Sequence, residues 1–269
     1  MSLDFSAGTG YSVWFVTELP QGKEPPGMKP LRFLGITTAK PRKSPDQLAF
    51  EYGTHLPVLK AIIDVFQPRG VLELGAGRFS TPLFYHQMKT VVTVESDAKW
   101  IEEVAKDVPP RESFHLVHHA LPGLTSRTRI NSIPERTKAE SLRFYNRLLA
   151  QHPGLNLLFI DHVSGLRAYT LANLHARFDF VVYHDAEDRG YGYEQFIPTL
   201  STEYFHFLFR SFIPYTGILI NKKFADRVSD FNRALDRQSQ GYFLEQYRFD
   251  LQDRANAEAF AADPRNISA

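Results

Sequence analysis

The sequence predicts an α/β fold built on a doubly wound, mainly parallel sheet of seven strands with an antiparallel C-terminal hairpin. Three observations predict it. Apolar runs of strand length alternate with helical patterns from residue 70 onward, a glycine-rich turn follows the first run, and the last two runs are separated only by Ser211–Tyr215. Alternation of this kind is typical of a parallel sheet with helices on both faces. So short a connection leaves no room for a helical crossover and indicates an antiparallel pair.

The predicted strands and helices follow one another in chain order. We expect parallel strands at Gly70–Leu74, Thr90–Glu95, Phe114–His118, Leu155–Asp161 and Phe178–His184. Helices are expected at about Thr81–Lys89, Asp97–Asp107, Pro134–Gln151 and Gly165–Ala176. The hairpin is expected to pair Tyr204–Arg210 with Thr216–Asn221.

A helix that packs on the sheet is also predicted before the first strand. Apolar residues recur there at the i, i+3, i+4, i+7 spacing of a core-facing stripe, at Leu59, Ile62, Ile63 and Phe66. The stretch Ser44-Pro45-Asp46-Gln47 has the pattern of a capping box, which predicts a helix start at that point. We therefore divide the chain into an N-terminal extension or cap (1–44), the α/β domain (45–248) and a C-terminal tail (249–269).

Composition excludes several kinds of protein. The 269 residues contain no cysteine, which excludes disulfide frameworks, Cys-ligated zinc, iron–sulfur clusters and thiol nucleophiles. Lys and Arg number 31 against 30 Asp and Glu and form no basic patch, so we expect neither nucleic acid nor a membrane surface as a partner. The N-terminus lacks the pattern of a signal peptide. These features favour a cytoplasmic protein whose partner is a small molecule.

The strongest local signal is the glycine-rich turn that follows the first predicted strand. Glu73-Leu74-Gly75-Ala76-Gly77 leads directly into a helix, with Ser80 or Thr81 expected as its cap. The Lys and second Gly of a phosphate-binding P-loop are missing, and Ser80 stands where a dinucleotide site has its third glycine. Glu73 would face an incoming pyrophosphate, so a ligand that carries a cation suits the turn better. The next strand ends in a second acid, Glu95, as expected for a residue that binds ribose hydroxyls.

On these residues the sequence resembles the class I S-adenosylmethionine-dependent methyltransferases, whose first motif is an acid, any residue and then Gly-x-Gly. The resemblance covers roughly Ser44 to Asn221 and implies a Rossmann-like fold with an antiparallel seventh strand. It implies that S-adenosyl-L-methionine binds at the turn, with Glu73, Gly75 and Gly77 along its methionine end and Glu95 on its ribose. Further cofactor contacts are expected from Ala76, Ser80, Thr81, Ser96, His119 and Asp161.

Two of these expected contacts have a more specific position. Ser96 is expected to cap the helix that follows the second strand. His119 follows the third strand, where the family often has a short acidic or amide residue that meets the adenine. The imidazole is a departure from that pattern.

Polar residues also end the fourth and fifth predicted strands. The fourth ends in Asp161-His162 and the fifth in His184-Asp185. Because ligands bind at the carboxyl ends of parallel strands, we expect these four side chains to converge at one edge of the sheet. Asp161 or a neighbouring histidine would then act as the general base for an acceptor hydroxyl. The simpler alternative is that the two aspartates cap the following helices and the histidines are ordinary polar residues.

A divalent cation such as Mg²⁺ is the second chemistry that fits this edge, with Asp161 and Asp185 as its ligands. The pattern is similar to catechol and caffeoyl-CoA type O-methyltransferases, which have an Asp after strand four and an Asp-Asn or Asp-Asp pair after strand five. Here Ala186 replaces the second member of that pair, and the possible substitutes are His184, His162, Glu187 and Asp188. The stretch from His184 to Arg189 also weakly resembles glucuronoxylan methyltransferase type domains, which implies a saccharide acceptor.

The resemblance therefore implies an S-adenosylmethionine-dependent methyltransferase that acts on an oxygen of a small molecule or a sugar. Two alternatives stay open: a non-catalytic S-adenosylmethionine-binding or scaffold protein with the same fold, and a nicotinamide-dependent oxidoreductase. Weaker candidates near the ligands are Tyr52-Gly53-Thr54-His55, where related enzymes close a segment over the cofactor, and the tyrosines Tyr191, Tyr193 and Tyr215.

Overall fold

A computed structural model describes residues 52–125 and 128–242 of the chain. Its strands are β1 (Gly70–Leu74), β2 (Thr90–Glu95), β3 (Phe114–His118), β4 (Leu157–Ile160), β5 (Phe180–His184), β6 (Tyr204–Phe209) and β7 (Thr216–Asn221). Its helices are α1 (Leu56–Phe66), α2 (Ser80–Gln87), α3 (Ala98–Val104), α4 (Glu135–Gln151), α5 (Ser164–Leu174), α6 (Tyr193–Phe196) and α7, which covers residues 228–242. Short 3-10 turns lie at Ile130–Ser132, His175–Arg177, Arg189–Tyr191, Ile197–Thr199 and Lys222–Arg227.

The seven strands form one sheet in the order β3-β2-β1-β4-β5-β7-β6. All pairs from β3 through β5 are parallel. Strand β7 runs antiparallel to both of its neighbours, β5 and β6. The predicted doubly wound sheet with an antiparallel C-terminal hairpin is therefore confirmed.

Most predicted boundaries agree with the structure, and the differences have local causes. Strands β1, β2, β3 and β7 have the predicted bounds. Strand β4 begins two residues later than predicted because Leu155 still belongs to a turn, in which its N–H donates to the carbonyl of His152. Strand β5 begins late for the same reason, since the N–H of Phe178 closes the preceding 3-10 turn. Apolar runs thus extend past the paired residues into the turns that lead into them.

Helices cover both faces of the sheet, as the alternation predicts. On one face α1 packs against β1, β4 and β5, and its predicted stripe of Leu59, Ile62, Ile63 and Phe66 lies in that core together with Phe231 of α7. On the other face α4 and α5 pack against the alternate residues of the same strands, among them Leu72, Leu158 and Val181. A sheet buried on both faces gives continuous apolar strands, which is the pattern seen in the sequence.

The predicted serine and threonine caps are wrong where the structure describes them. Helix α2 begins after Phe79 rather than after Ser80 or Thr81, and no side chain caps it. Helix α3 is capped by Asp97 instead of Ser96, through the backbone N–H groups of Lys99 and Trp100. Pro134 precedes α4 without a side-chain cap. The hydroxyls of Ser80 and Thr81 are buried below the turn, so they are not placed to cap the helix end.

Some predictions fall outside the described residues. The capping box at Ser44, the extension 1–44 and the tail 249–269 are among them, so the proposed division of the chain stays a prediction. Among the described helices, none is both long and apolar enough to cross a membrane.

Candidate functional site

The glycine turn between β1 and α2 lies directly against the end of β4. Gly75 has φ +93°, and a Cβ atom built on it would lie 2.4 Å from the carbonyl oxygen of Asp161. Its N–H donates to the carbonyl of Val94, which ties the turn to β2 as well. Only glycine fits a position that combines positive φ with so close a backbone approach. The turn therefore packs directly against the backbone at the end of β4, where Asp161 lies; we call this place the Asp161 edge.

Glu73 lies beneath this turn and is completely buried. Its Oε2 accepts hydrogen bonds from the hydroxyls of Thr81 (2.8 Å) and Thr93 (2.7 Å). Its Oε1 has no hydrogen-bond partner among the described residues. Burial raises the pKa of the Glu73 carboxyl to about 7, although hydrogen bonds from neighbouring hydroxyls oppose the shift. No surface of the Glu73 side chain is exposed. The expectation from the family resemblance, that Glu73 lies along the methionine end of the cofactor, stays a prediction.

Glu95 holds the glycine turn and the start of α3 at the end of β2. Its Oε2 accepts from the N–H of Ala76 at 3.0 Å. Its Oε1 accepts from the N–H groups of Ser96 (2.6 Å) and Asp97 (2.9 Å). The carboxylate is half-buried and faces the same edge as the turn, which is the position expected of a ribose-binding acid.

Trp100 is a further contact to the turn that sequence reasoning missed. Its indole N–H donates to the carbonyl of Ala76 at 2.6 Å, and Arg78 lies over its ring at 5.3 Å from the centroid. The bond holds the turn from the side of α3. A single tryptophan in a helix has no spacing signal that would reveal such a contact in advance.

His119 has a different environment from the one predicted for an adenine contact. Its ring stacks on Phe144 of α4, with centroids 4.0 Å apart and planes 5° from parallel. Its Nε2 lies 3.3 Å from the Ser141 hydroxyl. Burial, together with the nearby charges of His118 and Arg147, lowers the pKa of the His119 imidazole. One ring face is thus already occupied, and a role toward adenine stays a prediction.

Arg167 joins the ends of β4 and β5. Its Nη2 lies 2.8 Å from Asp161 Oδ1, and its Nη1 lies 2.6 Å from Asp185 Oδ2. Its Nε donates to the carbonyl of His162 at 2.6 Å, and Tyr191 stacks on its guanidinium at 4.6 Å. Burial disfavours the charged form, but the aspartates outweigh it and raise the pKa of Arg167. The two aspartates therefore form ion pairs. Neither caps the following helix, because α5 has no side-chain cap and the 3-10 turn after β5 is capped by Asp188, so the alternative that they cap helices is wrong.

His184 completes this cluster from β5. Its Nδ1 lies 3.4 Å from Asp161 Oδ1 and 3.6 Å from Asp185 Oδ1. Its Nε2 lies 2.9 Å from the Thr54 hydroxyl, which in turn donates to the carbonyl of Pro214 at 2.9 Å. Since that hydroxyl proton is already used, Nε2 is the donor to Thr54. Burial lowers the pKa of His184, but the Asp161 carboxylate outweighs it and the net shift is upward.

Asp161 is the most exposed side chain of the cluster formed by Asp161, Arg167, His184 and Asp185. Its side chain is 24% exposed, against 7% for His184 and 10% for Arg167. Burial alone would raise the pKa of its carboxyl, but the Arg167 guanidinium and His184 hold it well below its usual range. A ligand at this edge would therefore meet an ionised carboxylate first.

His55, just before α1, contacts the same group from the opposite side. Its ring meets His184 edge-on at 4.7 Å between centroids and lies 4.9 Å from Phe159. Neither ring nitrogen has a hydrogen-bond partner among the described residues. Burial lowers the pKa of His55 to about 3, so the imidazole is neutral. The sequence pointed to this segment but not to this contact.

His162 does not join the other three predicted residues. Its ring lies on the other side of the sheet, 6.1 Å from Tyr145, because successive side chains at a strand end point to opposite faces. Both ring nitrogens are buried without a hydrogen-bond partner among the described residues, and burial lowers the pKa of His162 to about 3. Only Asp161, His184 and Asp185 converge as predicted.

The strand order and the place of the turn decide the fold. Five parallel strands run in the order β3-β2-β1-β4-β5, β7 lies antiparallel between β5 and β6, and the glycine turn follows β1. The chain has a Rossmann-like, doubly wound fold with an antiparallel C-terminal hairpin. In an open sheet of this fold, the carboxyl ends of β1, β2, β4 and β5 form the ligand-binding edge. Every converging residue described above lies there.

Solved methyltransferases are similar to this chain at low identity. Human methyltransferase-like protein 13 in complex with S-adenosylhomocysteine is 13% identical over 69% of this chain and 88% of that chain, with a TM-score of 0.43. The N-methyltransferase NodS from Bradyrhizobium japonicum, also with S-adenosylhomocysteine, is 11% identical over 64% and 87%, with a TM-score of 0.40. A dimethyladenosine transferase from Plasmodium falciparum is 15% identical over 62% of each chain, with a TM-score of 0.38.

No protein-family model matches the chain, and no curated protein matches it. The Rossmann-like fold is defined by the strand order, the strand directions and the position of the glycine turn after β1.

Proposed function

We propose that the protein is an S-adenosylmethionine-dependent methyltransferase that transfers a methyl group to a hydroxyl of a small molecule or a saccharide. The observation that carries this proposal is the contact between the glycine turn and the Asp161 edge. A Cβ on Gly75 would lie 2.4 Å from the Asp161 carbonyl oxygen. A cofactor at the turn and an acceptor at Asp161 would thus be neighbours, and methyl transfer depends on that proximity.

The residues at the turn suit S-adenosylmethionine. A Cβ on Gly75 would meet the Asp161 carbonyl oxygen and one on Gly77 would meet the Ser80 hydroxyl, each at 2.4 Å, so the shape of the turn depends on both glycines. The Glu95 carboxylate can accept hydrogen bonds from ribose hydroxyls at the same edge. The acid beneath the turn, Glu73, is buried and offers no positive charge that would hold a pyrophosphate. When bound, the cofactor would supply a methyl group on a positively charged sulfur.

On the acceptor side, Asp161 is the group that a hydroxyl would reach. Because Arg167 keeps its pKa low, the carboxylate accepts a hydrogen bond from the hydroxyl and orients its oxygen, but takes its proton only weakly. His184 contacts Asp161 directly at 3.4 Å, and Arg167 links Asp161 to Asp185. The chain's main contribution is then orientation rather than strong general-base catalysis.

Calorimetric titration tests the cofactor assignment. We expect S-adenosylmethionine and S-adenosylhomocysteine to bind with micromolar affinity, and NADH not to bind. Glu95→Ala should weaken adenosyl binding by about tenfold or more, because it removes a charged hydrogen-bond acceptor. Glu102→Ala is the matched control, since Glu102 is an exposed acid of the adjacent helix α3.

Three results would contradict the proposal. Binding of NADH without either adenosyl ligand would support the nicotinamide-dependent alternative. Adenosyl binding that does not distinguish Glu95→Ala from Glu102→Ala would place the cofactor elsewhere. Adenosyl binding without methyl transfer to any compound in a screen of phenols, alcohols and sugars, with and without divalent cations, would support the non-catalytic alternative.

A further inference from the structure

The cluster at the ends of β4 and β5 contains three side chains whose ligand atoms face one another. Among the residues that the structure describes, His55, Asp161 and His184 each offer one nitrogen or oxygen atom, and these atoms lie within 4.8 Å of one another. The three residues come from different parts of the chain: the segment before α1, the end of β4 and the end of β5. Two imidazoles and one carboxylate are a common donor set for first-row transition metals.

The burial of His55 without any hydrogen bond is not explained by the contacts that its ring makes. A buried imidazole normally makes at least one hydrogen bond, and a buried polar group without a partner costs roughly 1–3 kcal/mol. Both of its nitrogens lack a partner, although Asp161 and His184 are immediate neighbours. A cation between the three residues would give His55 a partner.

The atoms around the three residues already have the arrangement of an outer ligand shell. The Nε2 of His184 donates to the Thr54 hydroxyl, which fixes the ring and directs Nδ1 toward Asp161. Arg167 holds Asp161 through Oδ1. Outer contacts of this type orient metal ligands in proteins. An ion between the three residues would take the place of the 3.4 Å contact between His184 Nδ1 and Asp161 Oδ1.

We propose that His55, Asp161 and His184 form a binding site for a divalent transition metal ion such as Zn²⁺ or Co²⁺. This set differs from the pair predicted from sequence, because Asp185 is held by Arg167 and both of its oxygens lie within the cluster. Nitrogen donors also favour zinc, cobalt or iron over Mg²⁺, which prefers oxygen ligands. Its role in catalysis rests on the proposed function: the ion would lower the pKa of an acceptor hydroxyl, which the weak base Asp161 does not do.

Metal binding by the full chain tests the site without any measurement of activity. The protein is treated with a chelator, dialysed and titrated with Zn²⁺ by calorimetry and with Co²⁺ by visible absorption. We expect one ion per chain, with cobalt d–d bands of the intensity found for four or five ligands. His55→Leu should abolish this binding. Without metal the variant should be at least as stable as the wild type, since it replaces an unpartnered buried imidazole with an apolar side chain of similar size.

A matched control separates the site from surface histidines. His115 and His152 lie 4.5 Å apart between ring centroids and could hold an ion adventitiously. His152→Ala should therefore bind one ion as the wild type does. Absence of binding, binding that persists in His55→Leu, or binding lost in His152→Ala would overturn the proposal. Adenosyl binding is measured on the same samples, so failure of the metal site and failure of the proposed function are distinguished.

Discussion

The buried carboxyl of Glu73 predicts a specific dependence of stability on pH. Its pKa is raised from 4.5 to about 7 in the folded protein, chiefly by burial. A difference of about 2.5 in pKa, at about 1.4 kcal/mol each, corresponds to roughly 3 kcal/mol. The folded state binds the proton more tightly than the unfolded chain does. The stability from this group is therefore fully present below about pH 4.5 and is lost as the pH rises through about 7.

Glu73→Gln removes this titration and is the perturbation that tests it. The free energy of unfolding of both proteins is measured by urea denaturation at intervals from pH 5 to pH 8.5. Relative to the variant, the wild type should lose about 2–3 kcal/mol over this range and level off above pH 7. The test uses the change with pH, since the new amide makes its own hydrogen bonds with Thr81 and Thr93 at every pH.

Glu112→Gln is the control because Glu112 is exposed. Its difference from the wild type should stay constant across the same pH range. A Glu73→Gln difference that is equally constant would mean that the neighbouring hydroxyls balance the effect of burial on the Glu73 pKa. A change in the opposite direction would mean that the hydroxyls outweigh burial, and either result would contradict the raised pKa.

Three further substitutions test the turn and the cluster, and a fourth, Gly154→Ala, is the control for the first. Gly75→Ala should cost about 2–4 kcal/mol of unfolding free energy by urea denaturation, because its Cβ would meet the Asp161 carbonyl at positive φ. Gly154→Ala, where the added Cβ meets nothing within 4 Å, should be nearly neutral. Arg167→Met should cost about 3–5 kcal/mol by the same method, because it leaves two carboxylates without their counter-charge; a cost below about 1 kcal/mol would contradict the ion-pair geometry. Trp100→Phe should cost about 1 kcal/mol and weaken adenosyl binding about fivefold by calorimetry, because the indole hydrogen bond to the turn is lost; unchanged affinity would show that the turn keeps its shape without it.

The sheet could be predicted from sequence because its signals are local. Apolar runs bounded by turns fix the strands, and the order of elements along the chain fixes their direction. Asp161, His184 and Asp185 could be brought together by the general rule that parallel strands end at the same edge. The prediction for His162 was wrong because that rule does not say on which face of the sheet a side chain lies.

The residues that sequence reasoning missed depend on contacts between distant parts of the chain. Nothing in the sequence distinguishes Arg167 from other charged residues of a predicted helix. The structure shows that it is buried between two strand ends. His55 meets His184 across more than a hundred residues, and no spacing pattern encodes such a pair. The predicted caps were wrong for another reason: serine and threonine are preferred at such positions, but the Ser80 and Thr81 hydroxyls are buried below the turn, and Asp97 takes the cap position of α3.

The Thr54 hydroxyl joins groups that lie 130 and 160 positions further along the chain, His184 and Pro214. During synthesis, the candidate site is therefore incomplete until residue 214 has left the ribosome. A partly made chain has no formed pocket to which a metal ion or an adenosyl ligand could bind. Such a ligand stabilises the completed domain alone, so its concentration affects how long the finished protein survives rather than how its early segments fold.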